Sequence, residues 1–82
     1  MDEQEKQEYL VKFGDGLRKL RLDAGFSQEE LAEHAGIDRS YLGAIERGEH
    51  NLALLNIVKI SNALELQPHQ LLEILAHKKG KK

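Results

Sequence analysis

Two short helical patterns near the middle of the chain are joined by only Gly36 and Ile37. The first pattern begins at the S-x-x-E sequence of residues 27–30, which is typical of a capping box at a helix N-terminus. The second begins at Asp38, a residue type that caps helices, and continues through residue 47. A connection of about three or four residues that contains glycine is typical of a helix-turn-helix, with helix axes about 90–120° apart. The spacing therefore predicts this motif rather than an antiparallel pair of helices.

Four positions inside this segment carry the residue types that the motif requires. Ala32 has no long side chain to hold the two helices apart, and Gly36 can adopt the positive φ of a tight turn. Leu42 and Ile45 lie three residues apart on the second helix, so they share one face and are expected to pack against the body of the domain. The opposite face of that helix is then left outward.

The rest of the chain also has helical periodicity, and no alternating pattern predicts a strand. We expect the first helix to end at Gly25, and Gly14 and Gly16 to weaken its early half by about 1 kcal/mol each relative to alanine. The last helix begins at Pro68, which needs no amide partner at the first helical position. The sequence thus predicts an all-α fold of five short helices in a single domain, residues 1–82. The apolar sides of the first, fourth and fifth helices are formed by Leu10, Phe13, Leu17, Leu20 and Ala24, then by Leu54, Ile57, Ile60, Ser61 and Leu64, then by Leu71, Leu72 and Leu75.

Charge is distributed unevenly along the chain. The formal net charge is −2, with an acidic N-terminal extension at about residues 1–8 and a basic C-terminal tail at about residues 77–82 that we expect to fray. Because no overall basic excess indicates nucleic acid, a DNA-binding interpretation depends on where individual arginines lie. The chain has no cysteine, no signal-like start and no apolar run of the about 18 residues that a membrane span needs. We therefore expect a cytoplasmic protein without a membrane segment.

The side chains that could do chemistry are not arranged for it. The four histidines have no metal-ligand spacing, and we expect them at the surface. The acids Glu29, Glu30 and Glu33 suit a helix N-terminus and a solvated face better than a catalytic site. No nucleophile–base pair and no phosphate-binding glycine loop is suggested. We therefore predict no enzyme activity, no metal, no cofactor and no small-molecule ligand.

The run S-Q-E-E-L-A-E-H-A-G-I-D-R-S-Y-L-G-A-I-E-R-G, residues 27–48, is the most specific part of the sequence. From Leu17 to Leu72 the chain strongly resembles the lambda-repressor-like (Cro/Xre) helix-turn-helix domain. Within it, D-R-S-Y-L-G-A-I-E-R-G-E-H-N at residues 38–51 resembles the recognition segment of restriction–modification controller proteins, which are short dimeric regulators. The resemblance implies the five-helix fold of that DNA-binding domain, with the helix of about residues 38–47 in the major groove.

The resemblance also implies roles for individual positions. The outward face of the third helix would read base edges, with Arg39 donating two hydrogen bonds to guanine. Other side chains would contact phosphates, although packing against its neighbours is an equal alternative for Tyr41. Arg21 of the first helix would form an ion pair with Glu46 beneath the DNA-facing surface. The base-reading residues are then Arg39, Ser40, Gly43 and Ala44, and the phosphate-binding residues are Gln28, Tyr41, Arg47 and Asn51.

The fourth and fifth helices carry more apolar residues than one small core requires. We expect the excess to form a two-fold dimer interface, while Leu71 and Leu75 can complete the core. A homodimer would place two recognition helices one turn of DNA apart, about 34–36 Å, on a palindromic operator. The predicted interface residues are Leu55, Val58, Leu66, Leu72 and Ile74.

These observations and the resemblance predict a homodimeric, sequence-specific regulator of transcription that binds double-stranded DNA. Its predicted role is that of a restriction–modification controller, with RNA polymerase as a further candidate partner. A phage-type repressor and the antitoxin of a toxin–antitoxin pair share this domain and stay open as alternatives. A protein–protein adaptor without DNA binding is an alternative of another class, which the acidic balance favours and Arg39 opposes.

Overall fold

Residues 1–76 fold into five α-helices and one short 3-10 helix. The computed structural model describes residues 1–76 and has no strand among them. The prediction of an all-α, five-helix fold is therefore confirmed, whereas the predicted basic tail at residues 77–82 lies outside the described residues. The helices are α1 (Glu3–Asp23), α2 (Gln28–Ala35), α3 (Arg39–Glu46), α4 (Leu54–Ala63) and α5 (Pro68–Leu72), and the 3-10 helix Glu73–Leu75 follows α5 directly.

Helix α1 begins much earlier than its apolar stripe indicates. Asp2 caps it through a capping box, in which the Glu5 N–H donates to Asp2 Oδ1 at 2.8 Å and the Asp2 N–H donates to Glu5 Oε1 at 3.1 Å. Two acids in the first turn also favour the positive end of the helix dipole. The acidic extension of residues 1–8 is therefore the first part of α1, rather than a segment ahead of it.

The turn between α2 and α3 has the predicted backbone. Gly36 ends α2 in the left-handed region at φ 72°, and the Ile37 N–H donates to the Ala32 carbonyl oxygen at 3.0 Å. At the other end of α2, the Glu30 N–H donates to Ser27 Oγ at 3.0 Å. The Ser27 N–H donates in return to Glu30 and holds the pKa of that carboxyl below its ordinary value.

One predicted cap is absent. Asp38 occupies the N-cap position of α3 with an extended backbone, but its side chain makes no capping hydrogen bond. The prediction of a side-chain cap at Asp38 is wrong, because the residue type and spacing do not determine where that carboxylate points.

The core lies between the helices and is built from apolar side chains of all five. Leu17, Leu42, Ile60 and Leu71 are fully buried, and burying a side chain of this kind stabilises the fold by about 1.5–3 kcal/mol. No helix among residues 1–76 combines the length and the apolar character needed to cross a membrane. The full core is Phe13, Leu17, Leu31, Ala32, Ala35, Leu42, Ile45, Ile60 and Leu71.

Helix α1 crosses the end of α3 at Gly14, where the two backbones nearly touch. A Cβ atom at Gly14 would lie 2.5 Å from the carbonyl oxygens of both Ile45 and Glu46. Gly16, also on α1, leaves space for the side chain of Ile74, which packs over it. Both glycines therefore permit close approach of a neighbouring element, which is the compensation for their weaker helix propensity.

Gly14→Ala should destabilise the domain, although alanine is the better helix former. The substitution gains about 1 kcal/mol of helix propensity, but the methyl group must push α3 away from α1, and overpacking costs typically about 1–3 kcal/mol and sometimes more. We expect a net loss of about 1–2 kcal/mol, measured as a melting temperature about 5–15 °C lower by circular dichroism. Gly16→Ala is the matched control and should cost less, because it meets a side chain rather than backbone. A melting temperature for Gly14→Ala at or above that of the parent would contradict the crossing argument.

Candidate nucleic-acid interface

The exposed part of α3 is its first turn. Arg39 and Ser40 are the first two residues of this helix, and both are exposed. Their neighbour Leu42 is fully buried, so the helix is anchored from below while its N-terminal end faces outward. A guanidinium at this place can donate two parallel hydrogen bonds, and a hydroxyl beside it can donate or accept one.

The structure places Gly43 and Ala44 differently from the sequence prediction. Both are buried, with Ala44 only 7% exposed, so the prediction that they belong to an outward face is wrong. Two long side chains cover Gly43, because a Cβ atom there would lie 3.2 Å from Arg47 Nη1 and 3.5 Å from Gln28 Oε1. The physical reason is that α3 has only eight residues and all of the last five pack into the domain. Of the four predicted base-reading residues, only Arg39 and Ser40 are exposed.

Beneath this surface, a buried ion pair joins α1 to α3. Arg21 Nε donates to Glu46 Oε2 at 2.7 Å and Arg21 Nη2 donates to Glu46 Oε1 at 3.0 Å, with both residues 7% exposed. This is the two-point geometry in which guanidinium and carboxylate groups bind most strongly. Arg21 Nη1 also donates to the Phe26 carbonyl oxygen at 3.0 Å, which ties the turn before α2 to the same group.

Gln28 extends this network to α2. Its Nε2 donates to Glu46 Oε1 at 3.0 Å, and its side chain is half-buried. The family resemblance implies a phosphate contact for Gln28, and no sequence pattern predicts this bond, because a contact across 18 residues of chain has no local signal. In the structure the side-chain amide of Gln28 connects α2 to α3, and its backbone N–H lies at the start of α2, where helix amides have no intrahelical partner.

Tyr41 packs against the loop that follows α3. Its hydroxyl donates to the Asn51 carbonyl oxygen at 3.4 Å and accepts from the Ala53 N–H at 3.3 Å. Its ring lies beside the His50 ring, with centroids 5.9 Å apart. Of the two interpretations of Tyr41, the structure favours packing, because both hydrogen-bonding functions of the hydroxyl are used within the chain. Asn51 is exposed in this loop.

Arg47 lies at the end of α3 with an acid beside it. Arg47 Nε donates to Glu49 Oε2 at 3.0 Å, and the two side chains are 60% and 57% exposed. This hydrogen bond raises the pKa of Arg47 and lowers the pKa of Glu49, so both groups are charged at neutral pH. Arg47 is thus accessible for a phosphate contact, but it carries a partner that the sequence analysis did not consider.

A second surface is apolar. Leu54, Leu55, Val58 and Leu72 are exposed, and we call these four residues the apolar face. Leu54 is 74% exposed, although the spacing places it on the same side of α4 as Ile57 and Ile60. The contacts between α4 and the core are made by Ile57 and Ile60 instead.

The remaining predicted interface residues are only partly available. Leu66 is half-buried, and Ile74 is half-buried against Gly16 and packs on the core. Leu71 is fully buried, in line with a core role. Of the five predicted interface residues, the structure therefore exposes Leu55, Val58 and Leu72.

A half-open apolar cavity of about 180 Å³ lies between α1, α4 and α5. Its lining includes Leu10, Phe13, Ile57 and Leu72, so it continues directly into the apolar face. Among residues 1–76 no group of three or more histidine, cysteine, aspartate or glutamate side chains could hold a metal ion.

Comparison with known proteins gives a family match over most of the chain. The profile of the helix-turn-helix family matches residues 17–71, which include α2, α3 and the turn between them. A hypothetical transcription factor of Neisseria meningitidis serogroup B is 44% identical over 68 residues, which are 83% of this chain and 64% of that protein. The chain thus spans less than two thirds of the length of this relative.

Two solved structures show the same architecture. The restriction-modification controller protein C.AhdI from Aeromonas hydrophila is 53% identical, with a TM-score of 0.73 over 76% of this chain and 94% of that chain. The biofilm regulator SinR, solved in complex with DNA, is 38% identical, with a TM-score of 0.69 over 73% of this chain and 97% of that chain. The predicted resemblance to controller proteins and to the helix-turn-helix domain is confirmed.

Glu46→Gln should strongly destabilise the domain. It leaves the Arg21 guanidinium buried without its counter-charge, and removing one partner of a buried pair costs about 3–5 kcal/mol. Urea denaturation followed by circular dichroism measures this loss. The double variant Arg21→Met with Glu46→Leu should recover much of it, because no uncompensated charge then remains. A Glu46→Gln protein as stable as the parent would mean that the pair does not hold α3.

Proposed function

This chain belongs to the helix-turn-helix family, and from that premise we propose that it is a sequence-specific DNA-binding regulator of transcription. The observation that carries the proposal is the exposed first turn of α3, with Arg39 and Ser40 presented on a helix that a buried ion-pair network holds from below. A rigid support of this kind is what base recognition needs, because donors must already lie where the base edges will be.

In the proposed complex, α3 enters the major groove with its N-terminal end. Arg39 donates to O6 and N7 of a guanine, and Ser40 bonds to a neighbouring base. The N-terminus of α2 binds a backbone phosphate through the Gln28 N–H. Arg47 and Asn51 lie exposed at and beyond the end of α3 and supply further phosphate contacts. Because Gly43 and Ala44 are buried, we assign them to helix packing instead of base contacts. SinR, which has this fold, was solved with DNA.

We further propose a homodimer on a palindromic operator. The apolar face exposes leucines at 74%, 70% and 42% of their surface together with a valine, and it continues into an apolar cavity. These side chains lie on α4 and α5, which contact each other, and an exposed apolar patch is a common mark of a protein interface. A two-fold axis through the apolar face would bury it in both copies and present two α3 helices to successive major grooves.

The proposed biological role is that of a restriction–modification controller. The support is the 53% identity to C.AhdI, in a match that covers 94% of the C.AhdI chain. We propose that the protein acts by binding and not by catalysis, in the cytoplasm. RNA polymerase is the further partner expected of such a regulator. Control would then follow from protein concentration, because a dimer forms and occupies DNA only above a threshold.

Arg39→Ala should relax the base preference of the protein. The operator is first selected from a random pool of duplexes, in which two-fold symmetry should be visible. Loss of a two-point guanine contact should then cost about 1–3 kcal/mol at each half-site of the operator, which raises the dissociation constant roughly 5- to 150-fold per half-site, with little change on random DNA. Fluorescence anisotropy measures both affinities. Lys59→Ala, which removes an exposed cation of α4, is the control and should keep the preference. If Arg39→Ala keeps the full operator preference, the role of α3 is wrong.

Leu55→Glu should convert the dimer to a monomer that still folds. The side chain is 70% exposed, so the domain itself tolerates a carboxylate, whereas a dimer would bury two of them without partners. We expect the dimer dissociation constant, measured by sedimentation equilibrium, to rise at least about 100-fold. Leu22→Glu is the matched control, since Leu22 is 53% exposed on α1 and lies outside the apolar face. Equal effects of the two substitutions would refute this interface.

A further inference from the structure

We propose that Glu49 weakens sequence-independent DNA binding by holding the Arg47 guanidinium in the free protein. This inference rests on the proposed function, because it concerns the phosphate contacts of the same surface. Glu49, an acid beside α3, would thereby set how much of the total affinity for DNA comes from phosphate contacts alone.

The backbone fixes both side chains at the end of α3. The Arg47 N–H donates to the Gly43 carbonyl oxygen at 3.1 Å, and the Glu49 N–H donates to the Ala44 carbonyl oxygen at 2.9 Å. Between them, Gly48 takes a positive φ of 74°, which reverses the chain and brings the carboxylate back beside the guanidinium. The pair therefore forms from a rigid helix end rather than from two side chains of a mobile loop.

The side chain of Arg47 extends from the end of α3 back toward the middle of the helix. Its Nε is 3.0 Å from Glu49 Oε2, while its Nη1 covers Gly43 in the middle of the helix. A phosphate that approaches Arg47 must therefore compete with Glu49 for the guanidinium. The carboxylate would then lie within a few ångströms of the phosphate, well inside the Debye length of about 8–10 Å, so it also repels it.

Competition and repulsion by Glu49 lower the affinity most for DNA that makes no base contacts with the protein. Sequence-independent binding comes almost entirely from phosphate neutralisation and counterion release. Base recognition by Arg39 does not involve Glu49, because Arg39 lies at the other end of the helix. Glu49 thus lowers the part of the affinity that every duplex shares, which reduces competition from the many non-cognate sites of a genome.

The substitution Glu49→Gln tests the proposal. We expect it to strengthen binding to a random duplex roughly three- to tenfold, since an exposed ion pair and its repulsion are of that size. The slope of log affinity against log salt should become steeper by about 0.9 per subunit, the equivalent of one more phosphate neutralised by each copy. Fluorescence anisotropy titrations of the full chain at several salt concentrations measure both quantities.

Two further variants separate this mechanism from simpler ones. Glu3→Gln makes the same change in net charge and breaks another exposed ion pair, Glu3 with Lys6 inside the first turns of α1, and should leave binding unchanged. In an Arg47→Ala background, Glu49→Gln should lose most of its effect, because the competition no longer exists. The inference is overturned if Glu3→Gln matches Glu49→Gln, or if the effect of Glu49→Gln persists without Arg47.

The result on the parent protein distinguishes this inference from the proposed function. If the parent binds a selected operator and Glu49→Gln changes neither affinity nor salt slope, the role of Glu49 is wrong and DNA recognition stands. If the parent binds neither the operator pool nor random DNA at any salt concentration, the proposed function fails and the role of Glu49 fails with it.

Discussion

The buried contact between Arg21 and Glu46 is the interaction on which the geometry of this domain depends. It joins α1 to the last residue of α3, and Gln28 adds the first residue of α2 to the same carboxylate. Burying two charges is costly, so such a pair is a weak source of net stability. Its value lies in orientation, because each helix can satisfy the buried polar atoms in only one relative position. The angle between α2 and α3 is thereby fixed by charge and hydrogen-bond geometry as well as by apolar packing.

Close packing around this network explains which part of α3 is left to bind a partner. Gly14 lets the backbone of α1 touch the end of α3, and Gly43 lets Gln28 and Arg47 lie across its middle. Both contacts cover the C-terminal half of α3, so its first turn is the part that stays exposed. The helix is thereby held rigidly, and in the proposed DNA complex a dimer would supply a second copy of its short exposed turn.

How far the sequence predicts this molecule depends on whether the determining forces are local. Helix ends at Ser27 and Gly36 were predictable, because capping and left-handed backbone depend on neighbouring residues. The exposure of Leu54 and the burial of Gly43 were not, since they depend on how a whole helix rotates against partners distant in the chain. The pair Arg21–Glu46 was expected only through family resemblance, and no local pattern predicts the bond from Gln28 to Glu46.

The acidic balance of the chain, which favoured an adaptor without DNA binding, loses its force once the acids are located. Asp2, Glu5 and Glu30 bind helix N-terminal amides, and Glu46 is buried against Arg21. These carboxylates are used within the fold, so the net charge of −2 includes groups whose charge is already matched by dipoles or by a partner. What an approaching phosphate experiences is the local field at α3, where Arg39 is exposed and Arg47 is exposed with Glu49 as its partner. A formal charge summed over a small domain therefore says little about DNA binding when many of its acids have structural roles.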